Sequence, residues 1–469
     1  MKFSTNTLKS ACLSAVAGVL AIGTVSAQDT EFKPSSNLWG YTFGDVYVKA
    51  HGDSMGRGAG NVTYKGQPMN QTTFQLRRTY IGWDYNFAKN FSTQIVLANE
   101  LQGTTNATGY SSTDQFGQNT TYIKYAFLKW ANIFPMSNLV IGQIPTNSFA
   151  SNTEQLMGYR NLERTILDLH NFDSSTDLGL GLNGKLWKGK GEDSTKPAFI
   201  GYSVVVGNNN GAKNQTDANL TAGTPTGPLS TNNGEPFNSF KKTRINIFES
   251  CMHNQLTVGI YGDYVRTAFA LSNPVTGLAT YKPETENYTF KAYANYSQKW
   301  FSVGAEYFMF TAVNGDVYKA NGAGNTIYAA NKQNGFSVWA SGTILPSKLN
   351  AFARMDIFNP NANYSSTNVY TSTYTSKYNE GYSAGATLTS NTFYKQTLYI
   401  FGLDYTPTSR VHIMPNVWYN QYDAMSSNMQ NLTNNVHGLA KSDYDLVYRV
   451  TFHYIFNSSK SVNNNGRGN

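Results

Sequence analysis

The sequence predicts an all-β fold, a transmembrane antiparallel β-barrel of about 16 strands with short periplasmic turns and long outer loops. Three observations predict it. Runs with strict period-two alternation of apolar and polar residues recur from residue 39 to residue 456. The connections between those runs alternate between short and long. Finally, the composition is rich in aromatics, with 32 Tyr and 27 Phe, while only 14% of residues are charged.

In chain order, residues 1–27 carry the marks of an export signal peptide. Lys2 and Lys9 form a positive start, SACLSAVAGVLAI (10–22) an apolar centre, and Val25-Ser26-Ala27 a small-residue cleavage site. Residues 28–456 form the barrel, and residues 457–469 a polar C-terminal tail. If Cys12 leaves with the signal, Cys251 stands alone and no internal disulfide can form. A formal charge of +8 without basic runs argues against a nucleic-acid partner.

The stretch FQLRRTYIGWDYNFAKNFSTQIVLANE (74–100) sets the pattern. Ile81, Trp83, Tyr85 and Phe87 alternate with Arg78, Tyr80, Gly82, Asp84 and Asn86, and after a short AKN break Phe91, Thr93, Ile95 and Leu97 resume. Two alternating runs joined so tightly form a hairpin. The same alternation marks DLGLGLNGKL, residues 256–264, 288–295, 301–309 and 349–357, and the last run from Tyr448 to Phe456. Short connections fall near 88–90, 131–138, 187–197, 252–255, 298–300, 345–348 and 406–410. Long ones, rich in Asn, Gly, Ser and Thr, fall near 51–73, 101–120, 145–175, 207–242, 267–286, 311–334, 359–394 and 422–443. GYSAGATLT (381–389) is read as part of a loop rather than a further strand.

Such stripes require a solvent for their greasy face. A soluble sandwich would bury them between sheets and has no reason to gather its long loops at one end. In hydrocarbon, only a closed ladder satisfies every backbone group of a sheet. Outer-membrane lipid is therefore the expected partner of Ile81, Leu180, Val258, Val303 and Val450, with Trp83, Tyr85, Trp130 and Trp300 at the headgroup level. The opposite parity places Arg78, Lys124, Lys185, Arg244, Lys291, Arg354 and Arg449 in the lumen, with Asp84, Glu100, Asp263, Glu306, Asp356 and Asp404. These charges either steer solutes or pair to make the wall wettable.

The third long loop, 145–175, differs from the others in keeping Leu156, Met157, Leu162, Ile166, Leu167 and Leu169. Ser151-Asn-Thr-Glu154 reads as a capping box, and a helical turn or two within 154–169 would place Arg160, Arg164 and Asp168 on one face. Folded inward, this loop would form the pore constriction with Arg160, Glu163, Arg164 and Asp168. Folded outward, the same residues form a salt-bridged surface. No cofactor or metal is expected, because the six histidines lack ligand spacing. No enzyme motif is assembled, and GLGLNG lies within an alternating run instead of before a helix.

RRTYIGWDYNFAKNFS, LVIGQIPTNSF, STDLGLGLNGKL, VGAEYF and FARMDIFNPN, in this order, resemble the phosphate-selective porin O/P family of outer-membrane β-barrels. The resemblance implies a 16-stranded porin in the outer membrane of a Gram-negative bacterium. It also implies a homotrimer that lets small hydrophilic solutes diffuse passively, with a lean towards anions or phosphate. Two family positions differ: Gly142-Gln143-Ile144-Pro145 lacks a lysine, and Thr176-Asp177-Leu178-Gly179 lacks an arginine. The alternative is a barrel with a plugged lumen whose loops act as a surface enzyme or solute-binding site.

Overall fold

The computed structural model describes residues 32–54, 64, 67–100, 121–189, 197–209, 211–212, 231–232, 235–236, 241–267, 270–272, 279–281, 285–319, 326–360, 362, 374–376, 395–423 and 442–457. The expected signal peptide, the tail beyond residue 457 and the segment 381–389 lie outside the described residues.

Sixteen strands form one closed antiparallel barrel. They are β1 (Ser35–His51), β2 (Thr72–Ala88), β3 (Phe91–Glu100), β4 (Thr121–Phe134), β5 (Ser137–Pro145), β6 (Thr176–Lys188), β7 (Phe199–Gly207) and β8 (Lys242–Cys251). The second half comprises β9 (Leu256–Thr267), β10 (Thr285–Ser297), β11 (Phe301–Lys319), β12 (Thr326–Leu345), β13 (Leu349–Asn359), β14 (Gln396–Thr408), β15 (Val411–Tyr422) and β16 (Asp443–Asn457). Each strand pairs with the next in sequence, and β16 pairs with β1 from Trp39↔Asn457 to His51↔Leu446, which leaves no open edge. Short turns and long connections occupy opposite rims.

Alternation sorts the side chains. Ile260 is 51% exposed while Tyr261 beside it is 1% exposed. Ile81, Leu97, Leu180, Ile247, Val303, Phe401 and Val450 are likewise exposed, on strands all around the circumference. A monomer in water rarely presents so much apolar surface, so the outer wall is a lipid-facing band. At the short-turn rim the rings of Trp83, Tyr85, Phe87, Phe91 and Trp130 form a continuous row with centroids 5.2–6.3 Å apart.

Two expectations need correction. Residues 311–334 are not a loop: β11 runs to Lys319 and β12 starts at Thr326, with Asp316–Lys319 paired to Thr326–Ala329 beyond a register shift. The Asn- and Gly-rich composition of this stretch hides a ladder held by backbone bonds. The third long loop holds two short helical turns, α1 (Thr153–Met157) and α2 (Ile166–Leu169), without the single charged face expected for them. The cap of α1 is Asn152 rather than Ser151, with Asn152 Oδ1 accepting from the Thr153 amide. The helix stops at Gly158, whose φ of 75° is left-handed and costs glycine little.

Candidate constriction of the lumen

The loop of residues 146–175 folds into the barrel. Its apolar side chains supply the contact: Phe149, Ile166 and Leu167 pack with Phe308, Phe310 and Phe358 of β11 and β13. Leu162 and Leu169 pack with Phe352, Leu398, Ile400, Met414 and Trp418 of β13 to β15. Tyr64, from the first long loop, joins this second cluster and donates from its hydroxyl to Asp45 Oδ2 at 3.1 Å. The inward fold is thus driven by burial of apolar surface, as in any core.

Polar ties fix its position. Asn147 Nδ2 donates to the Ser203 carbonyl at 2.8 Å. Lys291 Nζ donates to the Ser148 carbonyl, Asn152 Oδ1 and Thr153 Oγ1 at 2.5, 3.0 and 3.1 Å, and lies 3.4 Å from Glu306. Arg354 pairs with Asp356 at 2.5 Å and donates to the Glu163 carbonyl at 3.4 Å. Trp418 Nε1 donates to Glu163 Oε2 at 3.2 Å. Arg244 grips Asp173 at 2.7 Å and Asp177 at 2.9 Å, and Arg449 donates to the Tyr64 hydroxyl at 2.7 Å. All these cations are sealed, as are Glu306 and Asp356. They point inward, but against the loop and not into open lumen.

Across the barrel, the inner wall of β2 to β4 carries a second cluster of charges. There Arg78 lies 3.9 Å and Lys124 2.7 Å from Glu100, and the Tyr80 hydroxyl bonds to Glu100 as well. From the loop, Arg160 reaches Glu154 at 2.6 Å and Asp168 at 2.8 Å, while Arg164 lies 3.8 Å from Glu163. Arg160 and Arg164 both fall between the two helices, so the shared helical face expected for Arg160, Arg164 and Asp168 does not exist; a turn brings Arg160 to Asp168 instead. The side chains of Arg78, Glu100, Glu154, Arg160, Arg164 and Asp168 retain 13–22% of their surface. Two facing sets of partly hydrated charges thus remain, one on the wall and one on the loop.

Two bulges build the wall set. A register shift at Phe43/Gly44 leaves Arg77 unmatched on β2, so Arg77 and Arg78 both turn inward. Arg77, which simple parity sends to lipid, lies 2.6 Å from Asp45 and donates to the Leu162 carbonyl at 3.0 Å. A second shift, at Val96/Leu97, turns in Lys124 on β4 next to Tyr125. Strict alternation therefore misses Arg77, although it places the acceptor Asp45 inward with Phe43 and Tyr47; the adjacent arginine pair in QLRRTY is the only signal of Arg77. Of the remaining inward charges, Lys185 lies over the Phe199 ring at 4.1 Å, Asp404 accepts from His412 at 2.9 Å and Asp263 is 3.2 Å from Lys242. Among the described residues, no group of His, Cys, Asp and Glu has the arrangement of a metal site.

No family model matches the sequence, and neither does any curated protein. Solved structures do match in fold. The outer membrane channel DcaP of Acinetobacter baumannii aligns with 92% of this chain and 100% of its own at 12% identity and a TM-score of 0.50. OmpT, an outer membrane protein of Vibrio cholerae, aligns over 92% and 100% at 10% identity and 0.48, and the anion-selective porin from Comamonas acidovorans over 90% and 100% at 12% and 0.46. What this chain shares with the Acinetobacter channel is its architecture, a closed barrel of outer-membrane type.

Proposed function

We propose that the chain is an outer-membrane porin of a Gram-negative bacterium, a passive diffusion channel for small hydrophilic solutes. The observation that carries this reading is the pair of partly exposed charge sets, Arg78 and Glu100 on the wall and Glu154, Arg160, Arg164 and Asp168 on the loop. A plugged barrel would seal those groups as it seals Lys291 and Arg354. The short turns then face the periplasm and the long loops the outside.

Selectivity by charge is weak in this reading. Arg78, Lys124, Arg160 and Arg164 each lie beside a carboxylate. The anion or phosphate lean implied by the family resemblance therefore has little uncompensated positive field behind it. Size and wetting select instead, and assembly as a homotrimer completes the proposal.

Purified, refolded protein in a planar bilayer tests it. Stepwise conductance with a reversal potential near zero under a KCl gradient is expected. A folded protein that inserts but passes no current would favour the plugged surface protein, and a strongly anion-selective current would restore the phosphate-leaning reading. The mass of the detergent-solubilised protein by light scattering decides between monomer and trimer.

A further inference from the structure

The open wall carries more than charge. Trp39, Tyr41 and Phe43 occupy successive inward positions of β1, with centroids 6.3 and 6.2 Å apart and planes within 15° and 11° of parallel. That spacing matches the ~6.6 Å rise of two strand residues and exceeds the separation of rings stacked face to face. Neighbouring rings therefore lie side by side along the strand. The indole of Trp39 lies over Gly82, where an added Cβ would meet its ring atoms at 2.2 and 2.3 Å. Glycine there lets the ring lie flat on the wall, with its second face towards the lumen. Tyr80 meets Tyr41 edge-on at 4.8 Å, and Tyr122 and Tyr125 pack beside them. Trp39 and Tyr41 are only partly buried. The strip ends at Phe43, beneath the guanidinium groups of Arg77 and Arg78 at 5.1 and 6.0 Å.

Planar hydrogen-bonding groups flank the strip. Asp84 accepts from Trp39 Nε1 at 2.9 Å and from Gln94 Nε2 at 2.7 Å, and Asn86 follows on the same face, bonded to Ser35 at 3.0 Å. Aromatic faces are electron-rich and attract C–H groups with partial positive charge, while carboxamides and carboxylates take hydroxyl groups in pairs. A pyranose ring offers both, with an apolar C–H face and a rim of hydroxyls. An aromatic acid would fit the rings but would meet the Asp84 carboxylate at Trp39.

We propose that Trp39 and Tyr41, with Asp84 and Gln94, form a binding track for neutral oligosaccharides on the short-turn side of the constriction, with the buried Phe43 closing its inner end. The track rests on the channel reading, and its test separates the two. Single channels of the full-length mature protein are recorded with maltohexaose added to the bath. Concentration-dependent interruptions of the current are expected. In Trp39→Ala/Tyr41→Leu the half-blocking concentration should rise roughly tenfold, the loss of two ring contacts, while open conductance persists and reports a folded barrel. Tyr85→Leu, on the outer face, should leave block unchanged. A conducting wild type without block, equal block in the double variant, or stronger block by benzoate than by maltohexaose would each overturn the track and leave the channel standing. If no current flows at all, the channel reading falls, and titration calorimetry of the folded protein with maltohexaose decides the track alone. Heat of binding that vanishes in the double variant supports it, and no heat in the wild type overturns it.

Discussion

The walls of β1 to β4 and of β8 to β16 carry similar inward charge, yet the loop makes them different materials. On the covered side Lys291, Glu306, Arg354 and Asp356 are as buried as a protein core, and Lys291 and Arg354 each lie beside a carboxylate. On the open side Arg78 and Glu100 meet at 3.9 Å with part of both side chains exposed. Parity in a strand decides which side of the wall a residue occupies. What it meets there depends on a segment far away in sequence. The same ion pair is therefore costly to break on one wall and nearly free on the other.

The sharpest way to break this comparison is to remove one partner of a covered pair. Lys291→Met leaves Glu306 buried without its cation and strips the loop of three acceptor contacts. It should cost about 3–5 kcal/mol, read by reversible unfolding in lipid, and Lys291→Met/Glu306→Gln should recover part of the loss. A cost below ~1 kcal/mol, the range of exposed pairs, would show that the covered wall is wet. Next in size is the outer face, where Ile260→Arg at mid-strand should cost roughly 2–4 kcal/mol. Gln94→Arg, inward on the open wall, should cost far less; equal costs would refute the assignment of faces.

Arg160→Glu/Arg164→Glu changes the loop set by four charge units and should move the reversal potential towards cation preference. Lys89→Glu/Lys188→Glu, at the short-turn rim, should do little, since exposed charges beyond ~10 Å are screened at 0.1 M salt. An unchanged potential in the first pair would place the constriction elsewhere. The smallest effect belongs to Arg78→Gln: on the open wall its loss should cost about 0–1 kcal/mol, while single-channel conductance shifts measurably. A loss matching that of Lys291→Met would erase the distinction between the walls.

Much of this was legible in the sequence, for a definite reason. Period-two alternation and the short-long rhythm of connections are local properties, and they locate the strands and the loop that differs. Bulges are not local. Arg77 turns inward only because β1 and β2 lose register at Phe43/Gly44, which no single strand records. The helical turns expected within 154–169 are interrupted at Gly158, which parts Arg160 and Arg164 from any helical face. The apolar residues of that segment were visible, but a list of them does not say that Phe308, Phe358 and Trp418 wait on the far wall.

The seam between β1 and β16 joins residues as far apart as Trp39 and Asn457, and this sets an order of assembly. Closing so long a segment of chain is slow, so the first and last strands are the natural latecomers. Glu163 and Asn161 of the loop are held by Trp418 on β15 and His453 on β16. The apolar side chains of the loop are thus part of the surface on which the final hairpin rests. The cylinder is completed around its own contents, as a cooper sets the last stave, and a loop that missed the interior would leave β15 and β16 without the surface on which they settle.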